Sequence, residues 1–203
     1  SGGELYTAIK AGFPPEGIEF NGNNKLRDEI EMAVDYGIGR IIVDGADELP
    51  LIEDVCQKRG KRMNVLFRIN PGVSANSHEY MLTGKKDSKF GFPIDENEIF
   101  PRIKKAMRSD YVDFLGFHFH IGSQIFENES YLMALDVVLN LVKEVKERFG
   151  YDIKELNLGG GFGAVYTKEE RRPYSYFIDP VMDKLGNFYE DTGVNRPTIV
   201  IEP

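Results

Sequence analysis

Asp113-Phe114-Leu115-Gly116-Phe117-His118-Phe119-His120-Ile121-Gly122-Ser123 (113–123) reads as a strand running into a small turn. Residues two apart on a strand share a face. Leu115, Phe117 and Phe119 therefore form one apolar face, and His118 and His120 the opposite, polar one. The same arrangement recurs along the chain. Ile18 and Phe20, Ile41 and Val43, Leu156 and Leu158, and Ile199 and Ile201 supply apolar faces. The alternate register delivers Asn21, Asp44, Arg68 with Asn70, Asn157 and Glu202.

Strands are expected near 18–21, 40–44, 63–70, 113–120, 154–158 and 198–202, with helices near 3–11, 24–36, 47–59, 96–108, 129–149 and 175–190. Pro14-Pro15, Gly37, Pro71-Gly72, Gly150 and Pro197 act as stops or turns between them. Strand–helix alternation makes a parallel sheet with helical crossovers. A doubly wound sheet gathers its ligands at one switch point. Polar groups at every strand end instead fit the mouth of a TIM-type (β/α)8 barrel. The fold class is therefore α/β, an incomplete barrel of about six strand–helix units, with two strands expected ahead of Ser1. Ser1-Gly2-Gly3-Glu4 reads as a helix cap.

Composition narrows the function. With 203 residues, 41% hydrophobic and 29% charged, the chain is of ordinary globular type. No apolar run reaches a membrane helix, so no membrane partner is expected. A net charge of −8 argues against sequence-independent nucleic-acid binding, which needs a basic face. Lone Cys56 offers no disulfide framework, which suits a reducing cytoplasm.

Three strand ends carry chemistry. Gly159-Gly160-Gly161-Phe162-Gly163 follows a strand directly. Consecutive amides there could nest a phosphate, or the glycines could serve only a tight turn. His118 and His120 could be core histidines or metal ligands, but the third histidine, His78, lies in a separate polar loop, and no metal is expected. His120 is followed by Ile121-Gly122-Ser123, so a ring and a hydroxyl could meet a flat, phosphorylated cofactor. Glu202 could pair with Arg68, or sit beside a pyridine nitrogen and keep it protonated. A ring, a glycine turn and a carboxylate together suit pyridoxal 5'-phosphate.

Ser1-Gly2-Gly3-Glu4-Leu5-Tyr6-Thr7-Ala8, Phe20-Asn21-Gly22-Asn23-Asn24-Lys25, Arg68-Ile69-Asn70-Pro71, Lys89-Phe90-Gly91, His118 to Gln124, Leu158 to Gly161 and Ile201-Glu202-Pro203 carry a resemblance. In order and over the whole length, they resemble the diaminopimelate decarboxylase family, among the alanine-racemase-like, barrel-type pyridoxal phosphate decarboxylases. The resemblance implies that His120 and Glu202 are catalytic, His120 stacking on the cofactor ring and Glu202 pairing with its nitrogen. Ser123 and Gly159, Gly160 and Gly161 would hold the phosphate, and Arg68 would lie near the ring hydroxyl. Lys89 matches a position near the family's dimer contact. The implied reaction removes the carboxylate at the D-configured centre of meso-2,6-diaminopimelate, giving L-lysine and CO2, the last step of lysine biosynthesis. A cytoplasmic homodimer is implied for the full-length protein.

The family's Schiff-base lysine, in a Tyr-Ala-x-Lys-Ala-Asn stretch, has no counterpart in 1–203, nor do the Gly-Arg after Glu-Pro and the carboxyl-terminal β-domain. The 203-residue segment alone is therefore expected to be inactive, as a partial pyridoxal phosphate-binding barrel domain. Two rival readings remain open to the sequence. One is a related decarboxylase for another basic amino acid or polyamine precursor; the other is a non-catalytic regulatory homologue.

Overall fold

A computed structural model describes residues 1–73 and 90–203. Lys89 and His78 lie outside the described residues. The described chain divides into two compact units, one holding residues 1–69 and 90–118 and the other 70–73 and 119–203.

The first unit opens with α1 (Gly2–Lys10), whose start is a capping box: the Ser1 hydroxyl accepts from the Glu4 amide, and Glu4 reaches back to the Ser1 amine at 2.6 Å. There follow β1 (Glu19–Phe20), α2 (Arg27–Tyr36), β2 (Arg40–Val43), α3 (Glu48–Arg59), β3 (Met63–Asn70), the short β4 (Phe92–Pro93), α4 (Glu96–Met107) and β5 (Val112–His118). β1, β2, β3 and β5 pair in that order, all parallel, and β4 hangs on β3. Ile41, Ile42 and Val43, like Val65, Leu66 and Phe67, are fully buried on both registers. Parallel strands buried on both faces read as continuous apolar runs.

The expected face Leu115–Phe117–Phe119 is broken by a bulge. Val65 pairs with Phe114 but Leu66 with Gly116, so Leu115 is stepped over. Phe114 then joins Phe117 at 5.5 Å between ring centroids and Phe67 at 5.1 Å, while Leu115 is left half-buried. Gly116, at φ 150°, supplies the backbone freedom for the step.

The second unit contains α5 (Glu129–Phe149), β6 (Glu155–Gly160), α6 (Tyr174–Thr192) and β7 (Thr198–Glu202). Gly150 and Gly193 end its helices in left-handed caps, as Gly37 and Gly60 do in the first unit. β6 and β7 pair in parallel, and Phe162 stacks on Phe177 at 4.7 Å. None of the described helices is long and apolar enough to cross a membrane.

Candidate functional site

The expected glycine turn begins later than the sequence suggests. β6 runs through Gly160, so Gly159 and Gly160 belong to the strand and the turn starts at Gly161. Within β6 the register slips: Asn157 pairs with Val200, yet Gly160 pairs with Glu202. Three steps on one strand match two on the other, a bulge made by Gly159 at φ 62°. Bulges re-aim side chains, and here the result is a bond. The Asn157 Oδ1 accepts from the Gly159 amide at 2.8 Å, and its Nδ2 donates to Glu202 Oε1 at 2.8 Å. Asn157 is fully buried, whereas Glu202 is exposed, so the carboxylate is anchored from a buried side chain and reaches toward solvent.

Each of the three glycines admits a different neighbour. A Cβ on Gly159 would strike the Phe119 carbonyl oxygen and lie 3.1 Å from His120 Nδ1. On Gly160 it would strike the carbonyl oxygen of Glu202, and on Gly161 that of Gly122, with the Ser123 Cα 3.2 Å away. The sequence suggests that these glycines make room for a ligand; their immediate use is to make room for protein backbone. The Phe119 amide donates to the Asn157 carbonyl at 3.1 Å, the Ile125 amide to Gly161 at 2.9 Å and the Gly163 amide to Ile125 at 2.8 Å. These bonds tie the segment after β5 to the end of β6. Five of the expected residues after Phe119 thus gather in the second unit: His120, Ser123, Gly159, Gly160 and Gly161, with Glu202 beside them.

Tyr131 of α5 supports this end from beneath. Its hydroxyl donates to the buried Leu158 carbonyl, the residue before the bulge. Burial, and then the nearby Glu202 carboxylate, holds its phenol well above the usual range, so it stays a donor. Tyr131→Phe removes that donor and is expected to lower stability by about 1–2 kcal/mol, read from the urea midpoint.

Arg68 belongs to the first unit. Its guanidinium lies 3.4 Å from Asp44 and over the Phe90 ring at 4.6 Å. Gly91, at φ 75°, packs against it: a Cβ there would sit 3.0 Å from the Arg68 carbonyl oxygen. Behind Asp44 stands a group the sequence reading missed. Lys25, with its side chain 1% exposed, donates to the Gly22 and Ile42 carbonyls, each at 2.6 Å, and to Glu48 at 3.1 Å. Glu48 in turn accepts from the Asp44 amide at 2.8 Å. Burial pushes the Lys25 ammonium below the usual lysine range, and Glu48 draws it back up. Its signal was a lysine inside Asn21-Gly22-Asn23-Asn24-Lys25, a turn directly after a strand.

His118 is fully buried and pairs in register with Arg68, while His120 is half-buried. Full burial places His118 in the core, while His120 stands at the surface end of the same segment, beside Gly159. Burial pushes the Cys56 thiol up to about 11, so at neutral pH it stays protonated and inert.

A ring, a hydroxyl, glycine-lined backbone and a carboxylate suit a phosphorylated pyridine cofactor. The family described as pyridoxal-dependent decarboxylase, pyridoxal binding domain, matches residues 1–203, and the chain belongs to it. Its fold is α/β, an incomplete TIM-type barrel, and the solved structures that share it match along the whole chain.

Within that family the chain is similar to diaminopimelate decarboxylases. That of Bacillus methanolicus is 43% identical over 204 aligned residues, covering 100% of this chain and 47% of the relative. A crystal structure of diaminopimelate decarboxylase from Methanocaldococcus jannaschii in complex with L-lysine superposes with a TM-score of 0.90 at 36% identity, covering 100% of this chain and 46% of that one. Lysine decarboxylase from Selenomonas ruminantium, at 22% identity and a TM-score of 0.77 over 100% of this chain and 48% of that one, shares the fold. The chain spans about half the length of the curated relatives it matches.

Proposed function

We propose that the protein containing this chain is a carboxy-lyase that uses pyridoxal 5'-phosphate to convert meso-2,6-diaminopimelate to L-lysine and CO2. The observation that carries this reading is the end of β6, where three glycines bring His120, Ser123 and Glu202 around one short stretch of backbone. The substrate follows from similarity: relatives named diaminopimelate decarboxylase run at 33–43% identity along essentially the whole chain. In this reading the segment is a partial cofactor-binding barrel domain of a cytoplasmic homodimer.

His120 would lie against the cofactor ring, and Ser123 with the backbone of Gly159, Gly160 and Gly161 would hold the phosphate. Arg68, kept in place by Asp44 and Phe90, would face the ring hydroxyl. When bound, the protonated pyridine supplies an electron sink for the pair left at the α-carbon as the carboxylate departs. The residues prepare that role. Glu202 would keep the ring nitrogen protonated, because a nearby carboxylate favours the charged form. Asn157 keeps Glu202 aimed by its bond at 2.8 Å. Lys25 is not assigned a covalent role: its ammonium is spent on Glu48 and two carbonyls.

The test is turnover by the longest form its gene encodes, loaded with cofactor. Equal amounts of CO2 and L-lysine should form from meso-2,6-diaminopimelate, with ornithine, arginine and L-lysine left intact. Faster turnover of any of those three would overturn the substrate assignment. Glu202→Gln should lower kcat by about a hundredfold, the scale of one lost preorganised charge interaction. Its affinity for the cofactor should change little, as titration of the apoprotein would show.

A further inference from the structure

Gln124 is the one non-glycine among the described residues with a positive φ, 58°. That left-handed backbone is unfavourable for a residue with a Cβ. Strain of this kind persists where the surroundings enforce it, and it clusters at functional sites. Asparagine and glycine are the usual occupants, and neither would reach as far. The longer side chain is what the position uses. Its Nε2 donates to the Ala164 carbonyl at 3.1 Å, and its Oε1 accepts from the Ala164 amide at 2.8 Å.

A primary amide presents an N–H donor and a carbonyl acceptor along one edge, as the N–H and C=O of a single extended residue do. Ile125 and Phe162 already form a parallel bridge, with bonds from the Ile125 amide to Gly161 and from the Gly163 amide to Ile125. The Gln124 side chain therefore extends that ladder by one residue, to Ala164. It closes the ladder beside Ser123 on one segment and just past the glycines on the other.

We propose that Gln124 is a positioning residue that locks the loop carrying Ser123 onto the glycine turn, fixing the spacing of the two groups of phosphate-binding atoms. This rests on the cofactor reading above and deepens it. Gln124 itself touches no cofactor atom in this proposal; it acts through Ser123 and Gly161. Its absence should therefore weaken recognition of the phosphate and leave recognition of the ring alone.

The experiment uses full-length apoprotein titrated with pyridoxal 5'-phosphate and, separately, with pyridoxal, followed by fluorescence. Two variants guard against simple misfolding: Gln124→Ala loses the clamp and keeps the backbone strain, while Gln124→Gly loses the clamp and relieves it. Both should bind pyridoxal 5'-phosphate about tenfold more weakly, the effect of losing a pair of neutral hydrogen bonds. Both should bind pyridoxal as the parent does, and only Gln124→Ala should unfold at lower temperature. Unchanged phosphate-ester affinity in both variants would overturn the proposal, as would equal weakening for the two ligands. A parent that binds neither ligand would overturn the cofactor reading itself, and this inference with it.

Discussion

Gly160→Ala is expected to abolish retention of pyridoxal 5'-phosphate and to unfold well below the parent. The added methyl would collide with the carbonyl oxygen of Glu202, with the Pro203 nitrogen 3.2 Å away. These are main-chain atoms of the paired strand, so no rotamer change relieves the clash. β6 and β7 must part, which loosens the Gly160–Glu202 pairing and the bond from Asn157 to the Glu202 carboxylate. Overpacking usually costs 1–3 kcal/mol, and a backbone collision belongs at about the upper end of that range or beyond it. For a domain of this size about 3 kcal/mol lowers Tm by roughly 6–12 °C. Gly186, inside α6 with open space around it, is the matched control: Gly186→Ala should raise stability by about 0.5–1 kcal/mol. Calorimetry and cofactor titration on both variants decide the matter. Parent-like affinity in Gly160→Ala would show that the close approach is irrelevant to the site.

Lys25→Met is expected to destabilise the protein by about 3–5 kcal/mol, the usual result of removing one member of a buried ion pair. The loss is not confined to the pair. Glu48, with its side chain 11% exposed, would lose its cation, and the Gly22 and Ile42 carbonyls would lose a donor. Glu48 also accepts from the amide of Asp44, whose carboxylate faces Arg68. A second substitution separates charge from shape. Glu48→Gln removes the charge and keeps an acceptor for the Asp44 amide, so the double variant should be less destabilised than the two single losses summed. Denaturant unfolding of the four proteins in a double-mutant cycle measures that coupling. Strict additivity, or a single loss under about 1 kcal/mol, would mean the network is ornamental.

Much of the fold was legible because hydrophobic alternation and punctuation act locally. The expected strand at 63–70 and helix at 129–149 match β3 and α5, and the Ser1–Glu4 cap is present. What escaped was decided between strands. The step over Leu115 and the slip at Gly159 depend on a partner's register, which period-two counting cannot contain. For the same reason Gly159 and Gly160 look like turn residues in isolation and are strand residues in place.

The candidate site divides along that line too. The polar register named Asn157, Glu202, Asp44 and Arg68 as a set, but pairing Arg68 with Glu202 was only one option open to the sequence. The structure gives Arg68 to Asp44 and Glu202 to Asn157. Lys25 was passed over because it lies beyond a strand end, and its partner Glu48 is 23 residues away. Gln124 carries no such signal in the sequence, since its clue is a dihedral angle.

The triple glycine at the end of β6 has a thermodynamic consequence. The backbone at His120, Ser123 and Glu202 is set by close main-chain approach to the three glycines, so it is ordered before any ligand arrives. Ordering a loop on binding adds to the entropic penalty of fixing side chains, which is of order 0.5–1.5 kcal/mol for each flexible group. A ligand seated here would fix a few side chains and no backbone, and its association should proceed in one kinetic phase, with no slow rearrangement following the encounter.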